Sequence, residues 1–411
     1  MHTLCMTRVA PRTRTGLVAI WVFVAIAGCG QLGDHQPDAA QVDAKAVDLP
    51  SYQPDSPPIL PDAAPPHADT GLTSPDGGSG LELAPADADT EAGVTTDTTP
   101  LKADGGLAPE TPPAPPVSIV VLPDTQYYAA AYPEVFTLQT SWIVQQLPLL
   151  NIAAVLHVGD LVDGDTPALW TVANSAMRLL DGHVPYVLVP GNHDTDSNRK
   201  TMINSYFGPA SMPWITGTMT PEQIENNFAL IDIGPQQWIV LGLEFGPRDT
   251  VIAWANSVLK TYPDRPAIIV THAYLYNDGN RYDAAISGSD TSKSNYQWWI
   301  PQYYGYTASQ GINDGEMIWQ KLILPNSNVR LVFSGHVTGG AHASSARPNG
   351  SIVHQMLSDY QWLNGLYFGY GYLRVLQLDF GKKTIQVQTY SPYMGDYLTD
   401  DANQFTLDWN L

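Results

Sequence analysis

Pro185-Tyr186-Val187-Leu188-Val189-Pro190 leads directly into Gly191-Asn192-His193-Asp194. The first six residues make a short apolar run of the kind that is buried on both faces as a parallel strand. The next four open on a glycine turn and are otherwise polar, which is how an α/β sheet presents chemistry at its carboxyl edge. Asn192 offers a neutral oxygen to a metal, His193 a proton near neutral pH, and Asp194 a carboxylate to orient that imidazole. A polar turn with a purely structural role has the same local look, so the neighbouring strands must decide.

They repeat the pattern. Residues 117–122 and 153–158 are apolar, β-rich runs that end at Pro123-Asp124-Thr125-Gln126 and Gly159-Asp160. Helical apolar spacing over 135–147 separates them, and 167–180 reads as a helix with Pro167 in its first turn. This β-α-β-α-β order predicts right-handed crossovers and a largely parallel start to a sheet. Further on, 228–233 and 238–245 read as a hairpin across Gly234-Pro235, 248–260 as a helix, and 266–270 as a strand ending at Thr271-His272. A helix over 314–324 leads into a strand at 329–333 and then Ser334-Gly335-His336. A further strand follows at 351–357, and 372–380 with 383–390 form a closing antiparallel hairpin. Two sheets face to face with helices outside fit this order. Residues 274–312, rich in Tyr, Trp, Asn, Ser and Gly, break it; they read as a lid or pocket wall, or as a plug over one sheet edge.

Asp124 and Gln126, Asp160, Asn192 and His193, His272, and His336 thus fall at five successive strand ends. One histidine in such a place says little, but five polar strand ends line up along one sheet edge. Imidazole and carboxylate together suit Zn, Mn or Fe, and the absence of thiolates argues against a structural zinc site. The chain here resembles the calcineurin-like metallophosphoesterase family. The matching motifs are Asp124-Thr125-Gln126, Gly159-Asp160-Leu161-Val162-Asp163, Gly191-Asn192-His193-Asp194, Thr271-His272 and Gly335-His336, in the family's order over 117–340. The resemblance implies an αββα sandwich of two sheets holding two divalent metal ions, Mn, Fe or Zn foremost and Mg or Ca as further possibilities. It implies that Asp160 bridges both ions, that Asp124 and Gln126 bind the first, and that Asn192, His272 and His336 bind the second. His193, steadied by Asp194, would protonate the leaving alkoxide or stabilise phosphoryl oxygens. Two cations about 3.5–4 Å apart generate a hydroxide near neutral pH and clamp a phosphoryl group for in-line attack, which is the reaction implied.

The chain departs from that family twice. Gln126 stands where the first motif usually ends in His, and Thr338 stands where Gly-His-x-His carries its second His. Thr338, His342 or water are the possible replacements, so the first site is expected to be loose or suited to a harder cation. Asp163 reads as a turn residue or a support behind the ligands. His157, His183 and His354 read as structural, while Asp359, Tyr360, Gln361 and Trp362, after the 351–357 strand, are candidates for the substrate pocket or for simple packing. The metallophosphoesterase reading makes the chain a hydrolase of a small phosphate ester, monoester or diester. The alternative is a surface-anchored binding protein on a degenerate, non-catalytic version of the same fold.

The rest of the chain bounds location and partners. Residues 1–29 read as a targeting segment: Arg8, Arg12 and Arg14 precede an apolar stretch over 17–27 that is too short to span a bilayer. Ile26-Ala27-Gly28-Cys29 resembles a bacterial lipobox, so Cys29 is the expected lipidation site, with a plain secretory signal as the other reading. Only two cysteines occur, Cys5 and Cys29, so the exported form has no disulfide. Residues 30–116 hold 16 prolines and 15 acidic residues against two lysines and read as a disordered, self-repelling tether. The formal charge of −21 divides into +3 before residue 30, −13 in the arm and −11 beyond it, which argues against a nucleic-acid polymer as partner. The expected protein is thus exported and lipid-anchored to a bacterial membrane, outer membrane or cell surface, with one folded domain over 117–411.

Overall fold

Every side chain of β1 (Val117–Leu122) is buried, because the strand has helices on one face and a second sheet on the other. The computed structural model describes residues 114–287, 296–306, 310–363 and 369–409. The readings made for 1–113, namely the signal with Cys29 and nearly all of the acidic arm, lie outside the described residues. After β1 come α1 (Gln126–Ala131), α2 (Pro133–Leu150), β2 (Ile152–His157), α3 (Pro167–Met177), β3 (Tyr186–Leu188) and the short α4 (Ile203–Tyr206). Then follow β4 (Ile215–Thr220), β5 (Gln223–Ile233), β6 (Gln236–Leu243), α5 (Asp249–Thr261), β7 (Ala267–Thr271) and α6 (Ala284–Ser287). The remainder gives α7 (Gly315–Ile318), β8 (Val329–Ser334), β9 (Gly339–Ala346), β10 (Ile352–Asp359), β11 (Leu373–Asp379), β12 (Thr384–Ser391), β13 (Asp396–Leu398) and β14 (Phe405–Asp408).

One sheet has the order β13-β12-β11-β1-β2-β3, with β14 also paired to β12; the other runs β4-β5-β6-β7-β8-β10-β9. β1, β2 and β3 are parallel, as the β-α-β-α-β order requires, and β11 pairs antiparallel with β1. In the second sheet β6, β7, β8 and β10 are parallel, flanked by antiparallel β5 and β9. The architecture is the expected α/β sandwich of two mixed sheets.

Alternation decides what each strand face does. Trp238 and Val240 of β6 join the core between the sheets, whereas Ile239, Leu241 and Leu243 belong to the outer cluster with Val251, Ala255 and Leu259 of α5. β7 and β8 repeat this, with Ile268, Val270, Leu331 and Phe333 in the inner cluster and Ile269 and Val332 in the outer one. A period of two within a wholly apolar run buries both faces, and each such side chain contributes about 1.5–3 kcal/mol.

The structure adds detail to the sequence expectations and departs from some of them. The helix expected over 314–324 is present but not α-helical throughout: α7, capped by Asp314 Oδ1 on the Met317 amide at 3.0 Å, runs directly into a wider helical segment over Trp319–Ile323. There the Leu324 amide reaches the Trp319 carbonyl at 2.8 Å. β4 and β9 are strands that periodicity does not announce. Within 274–312 both readings apply: Tyr274, Tyr282, Ile300 and Tyr306 are buried like a plug, while Trp298, Trp299 and Tyr303 are about half exposed like a wall.

Candidate metal centre

Asp124, Asp160 and Asn192 follow the carboxyl ends of β1, β2 and β3, and His272 and His336 follow those of β7 and β8. Parallel strands therefore deliver all five to one edge of the sandwich, three from one sheet and two from the other. Main-chain hydrogen bonds fix the loops to one another: Thr125 N to Asp160 O at 3.0 Å, Val158 N to Leu122 O at 3.2 Å, and Gly335 N to His272 O at 2.8 Å. Two glycines make the close approach possible. A Cβ on Gly191 would lie 2.0 Å from Asp160 Oδ1, and one on Gly335 would lie 2.0 Å from Asp124 Oδ1. Asp160 and His336 themselves hold φ of +49° and +82°, left-handed conformations that a non-glycine residue adopts at some cost and that concentrate at functional sites.

One ligand atom each of Asp124, Asp160 and His272, all three residues buried, lies within 4.8 Å of the others. His272 shows how the donor set is prepared. Its Nδ1 bonds the Val158 carbonyl at 2.9 Å, which assigns a proton to Nδ1; burial works against a second proton but Asp160 outweighs it and raises the imidazole, so Nε2 offers its lone pair to a cation that displaces that proton. That lone pair faces Asp160 Oδ2 at 3.2 Å, Asn192 Oδ1 at 3.2 Å and His336 Nδ1 at 3.2 Å, with Asp124 Oδ2 at 4.0 Å. His336 is set the same way, because its Nε2 bonds the Trp299 carbonyl at 2.7 Å and its Nδ1 is left bare. Ring nitrogens held by outward hydrogen bonds so that their lone pairs converge with carboxylate and amide oxygens are what a cation requires. Separations of 3.2 Å suit donors that share one ion through bonds of about 2.0–2.2 Å.

The electrostatics agree. Burial first, then Asp359 and Asp160, push the Asp124 carboxyl well above its usual range. Burial likewise raises Asp194 and Asp359 to about 7. Burial works against ionisation of Asp160 too, but the imidazoles of His272 and His193 outweigh it and hold that carboxyl low. Burial, followed by His272, pushes His336 down to about 3, so it stays neutral and able to donate its lone pair. A crowd of desolvated carboxylates beside two imidazole nitrogens is a poor protein interior and a good cation site. Gln126 adds an orphan: its side chain is buried, yet Oε1 has no hydrogen-bond partner. The residues present therefore fit divalent metal.

Around this centre several sequence expectations change. Asp194 does not hold the His193 ring. It is fully buried and accepts the amides of Leu161, Val162 and Gly191 at 3.1, 2.9 and 2.8 Å, tying the loop after β2 to the loop after β3. Asp163 is the residue at the ring, with Oδ1 3.1 Å from His193 Nδ1. The His193 amide donates to Asp160 Oδ1 at 2.9 Å, and the Asp160 charge raises the imidazole to about 9 against the opposing effect of burial.

Of the two proposed replacement ligands, His342 does not join the converging group. His342 stacks on Phe405 with ring centroids 3.8 Å apart, and the Thr338 carbonyl accepts from Asn277 at 3.2 Å. Tyr360 is no pocket residue, being buried with its hydroxyl 3.2 Å from both Thr389 Oγ1 and Asn403 Oδ1. Gln361 does reach the site, where its Oε1 accepts from Gln126 Nε2. His157, read as structural, is buried between Thr125 Oγ1 at 2.9 Å and the Gly159 amide at 3.2 Å. Asp359, a candidate for the substrate pocket or for simple packing, is buried at the end of β10, and its charge helps raise the Asp124 carboxyl.

Comparison with known proteins places residues 117–338 under a family model described as calcineurin-like phosphoesterase. The chain is 34% identical over 324 residues to the uncharacterized protein YvnB of Bacillus subtilis, covering 74% of this chain and 22% of that protein. It is 25% identical over 118 residues to a probable glycerophosphodiester phosphodiesterase, GpdQ, of Arcobacter nitrofigilis, covering 29% of this chain and 40% of that one. The chain thus spans well under half the length of either relative. Among solved structures, GAP50, the anchor in the inner membrane complex of Plasmodium, aligns with a TM-score of 0.40 at 12% identity, over 72% of this chain and 90% of that one.

Proposed function

The chain belongs to the calcineurin-like phosphoesterase family, and from that premise we propose that it is a metal-dependent hydrolase of phosphate esters. The observation that carries this reading is the pair of imidazole nitrogens, His272 Nε2 and His336 Nδ1, that face each other at 3.2 Å beside Asp160 and Asn192. Asn192, His272, His336 and Asp160 would hold one divalent cation, and Asp124, Gln126 and Asp160 a second. When bound, such ions supply Lewis acidity and lower the pKa of water toward neutrality. His193 is the acid. Its Nδ1 is held by Asp163, its imidazole is drawn to about 9 by Asp160, and its side chain is 38% exposed, so Nε2 can carry a proton to a departing alkoxide at neutral pH.

The test uses the full-length protein, stripped of metal and reloaded with Mn²⁺, Zn²⁺ or Ca²⁺. It is assayed on bis-p-nitrophenyl phosphate and p-nitrophenyl phosphate. Asp160→Asn should abolish turnover, and His193→Ala should lower kcat by about 10²–10⁴-fold. The binding-protein reading draws on Gln126 and Thr338 in place of imidazoles; tight metal uptake with no hydrolysis under any metal would select it. The same proposal places the enzyme outside the cell on a lipid anchor at Cys29. Cys29→Ala should then move the protein from the membrane fraction to the soluble one.

A further inference from the structure

The segment matching the family ends at residue 338, yet a contact to the candidate centre comes from beyond it. β10 runs parallel beside β8 and so delivers Asp359, Tyr360 and Gln361 to the edge where His336 lies. Asp359 is fully buried, and its two oxygens accept the Gln361 amide and the Gln361 side chain, each at 2.9 Å. With Nε2 so engaged, Gln361 presents Oε1 to Gln126 Nε2. Gln126 Nε2 also lies 3.4 Å from Asp160 Oδ2, while Gln126 Oε1 is buried without a partner.

Resting on the hydrolase reading above, we propose that the Asp359–Gln361 turn stands in for the missing imidazoles of the first cation. Gln361 is a positioning residue: by accepting from Gln126 Nε2 it holds that nitrogen and leaves Gln126 Oε1, buried without a partner, available to a cation. Asp359 holds Gln361 in place and adds negative charge beside Asp124, of which it is the strongest charged neighbour. An amide oxygen is a weak neutral donor, so a buried carboxylate close behind offsets what the ligand lacks. The site then favours a hard, oxygen-preferring ion such as Mn²⁺ over Zn²⁺ in its first position.

The experiment is calorimetric titration of the metal-free, full-length protein with Mn²⁺, read as ions bound per chain and affinity of each. The parent should bind two ions. Gln361→Ala and Asp359→Asn should keep the tighter ion and weaken the other by about 10–100-fold, with melting temperatures of the metal-free forms close to the parent's. Gln126→His combined with Gln361→Ala should recover the second ion, because an imidazole needs no neighbouring amide to turn it. A merely structural role for Gln361 would not give that rescue. Two ions bound with unchanged affinities in both single variants would overturn the inference and leave the hydrolase reading standing. A parent that binds one ion would also overturn it, and a parent that binds none would overturn both.

Discussion

The hydrogen bonds of two aspartates give them different duties, and each can be tested by one substitution. Asp163 is exposed and touches His193 Nδ1, so Asp163→Asn should leave the melting temperature unchanged and lower kcat by about 10–100-fold, as loss of an orienting carboxylate does. Asp194 meets three backbone amides in a fully buried position. Asn there would keep one acceptor and push an NH₂ toward a donor, so Asp194→Asn should cost about 2–3 kcal/mol in urea unfolding. Equal losses of activity with no change in stability would reverse these assignments. Sequence placed both residues at the right strand ends, because chain order and apolar runs fix where a strand stops. It could not say which carboxylate faces the ring, since that depends on how two loops, 32 residues apart where Val162 meets Asp194, lie against one another. Gly191 was legible as a turn; its stricter reason, an Asp160 oxygen 2.0 Å from any Cβ, was not. Gly191→Ala should displace the Asp160 carboxylate and abolish metal uptake.

Elements were readable in proportion to how apolar they are. β1, β2, β7 and β8 carry runs buried on both faces and announce themselves. β4 reads Ile-Thr-Gly-Thr-Met-Thr and β9 Gly-Gly-Ala-His-Ala-Ser-Ser-Ala, at the two outer edges of the second sheet, where little burial is asked of a side chain. That is why His342 of β9 looked like a ligand when it is part of a seam. His342 stacks on Phe405 of β14, and His354 of β10 lies between Ser344 Oγ at 2.8 Å and the Asp408 carbonyl at 3.0 Å. The seam joins β9 and β10 of one sheet to β14 of the other. Burial, and then its neighbour His342, lower the pKa of His354 despite the Asp408 carbonyl and carboxylate. His342 is lowered as well, by burial ahead of Arg374, with Asp401 opposing. A histidine with a depressed folded pKa stabilises above about 6.5, the unfolded value, and that stability is lost as pH falls from there toward the folded pKa. The seam's share of the stability should therefore be lost between pH 7 and pH 5, so that the melting temperature of His354→Gln changes relative to the parent's in favour of the variant as the pH falls. Identical slopes would show that the seam does not sense acid.

At the scale of the molecule, the candidate centre lies where the two sheets meet. Asp124, Asp160 and Asn192 belong to the first sheet's strand ends, and His272 and His336 to the second's. The apolar core between the sheets holds them together whether or not a cation is present. At the rim, however, burial and then neighbouring carboxylates push Asp124, Asp194 and Asp359 upward, so the edge is electrostatically unfavourable by itself. A divalent ion would turn that repulsion into attraction and pin one sheet to the other. Because it would bind the folded chain and not the unfolded one, free metal at about a hundredfold over its Kd should stabilise by about 2.7 kcal/mol. Chelation with EDTA should accordingly lower the melting temperature by several degrees, and Mn²⁺ should restore it in the parent. In a His272→Ala, His336→Ala double variant both shifts should shrink to what an ion held by Asp124, Gln126 and Asp160 alone contributes. A parent protein whose unfolding is indifferent to EDTA and to added Mn²⁺, Zn²⁺ and Ca²⁺ would mean that no ion joins the sheets, and the hydrolytic reading would fall with it.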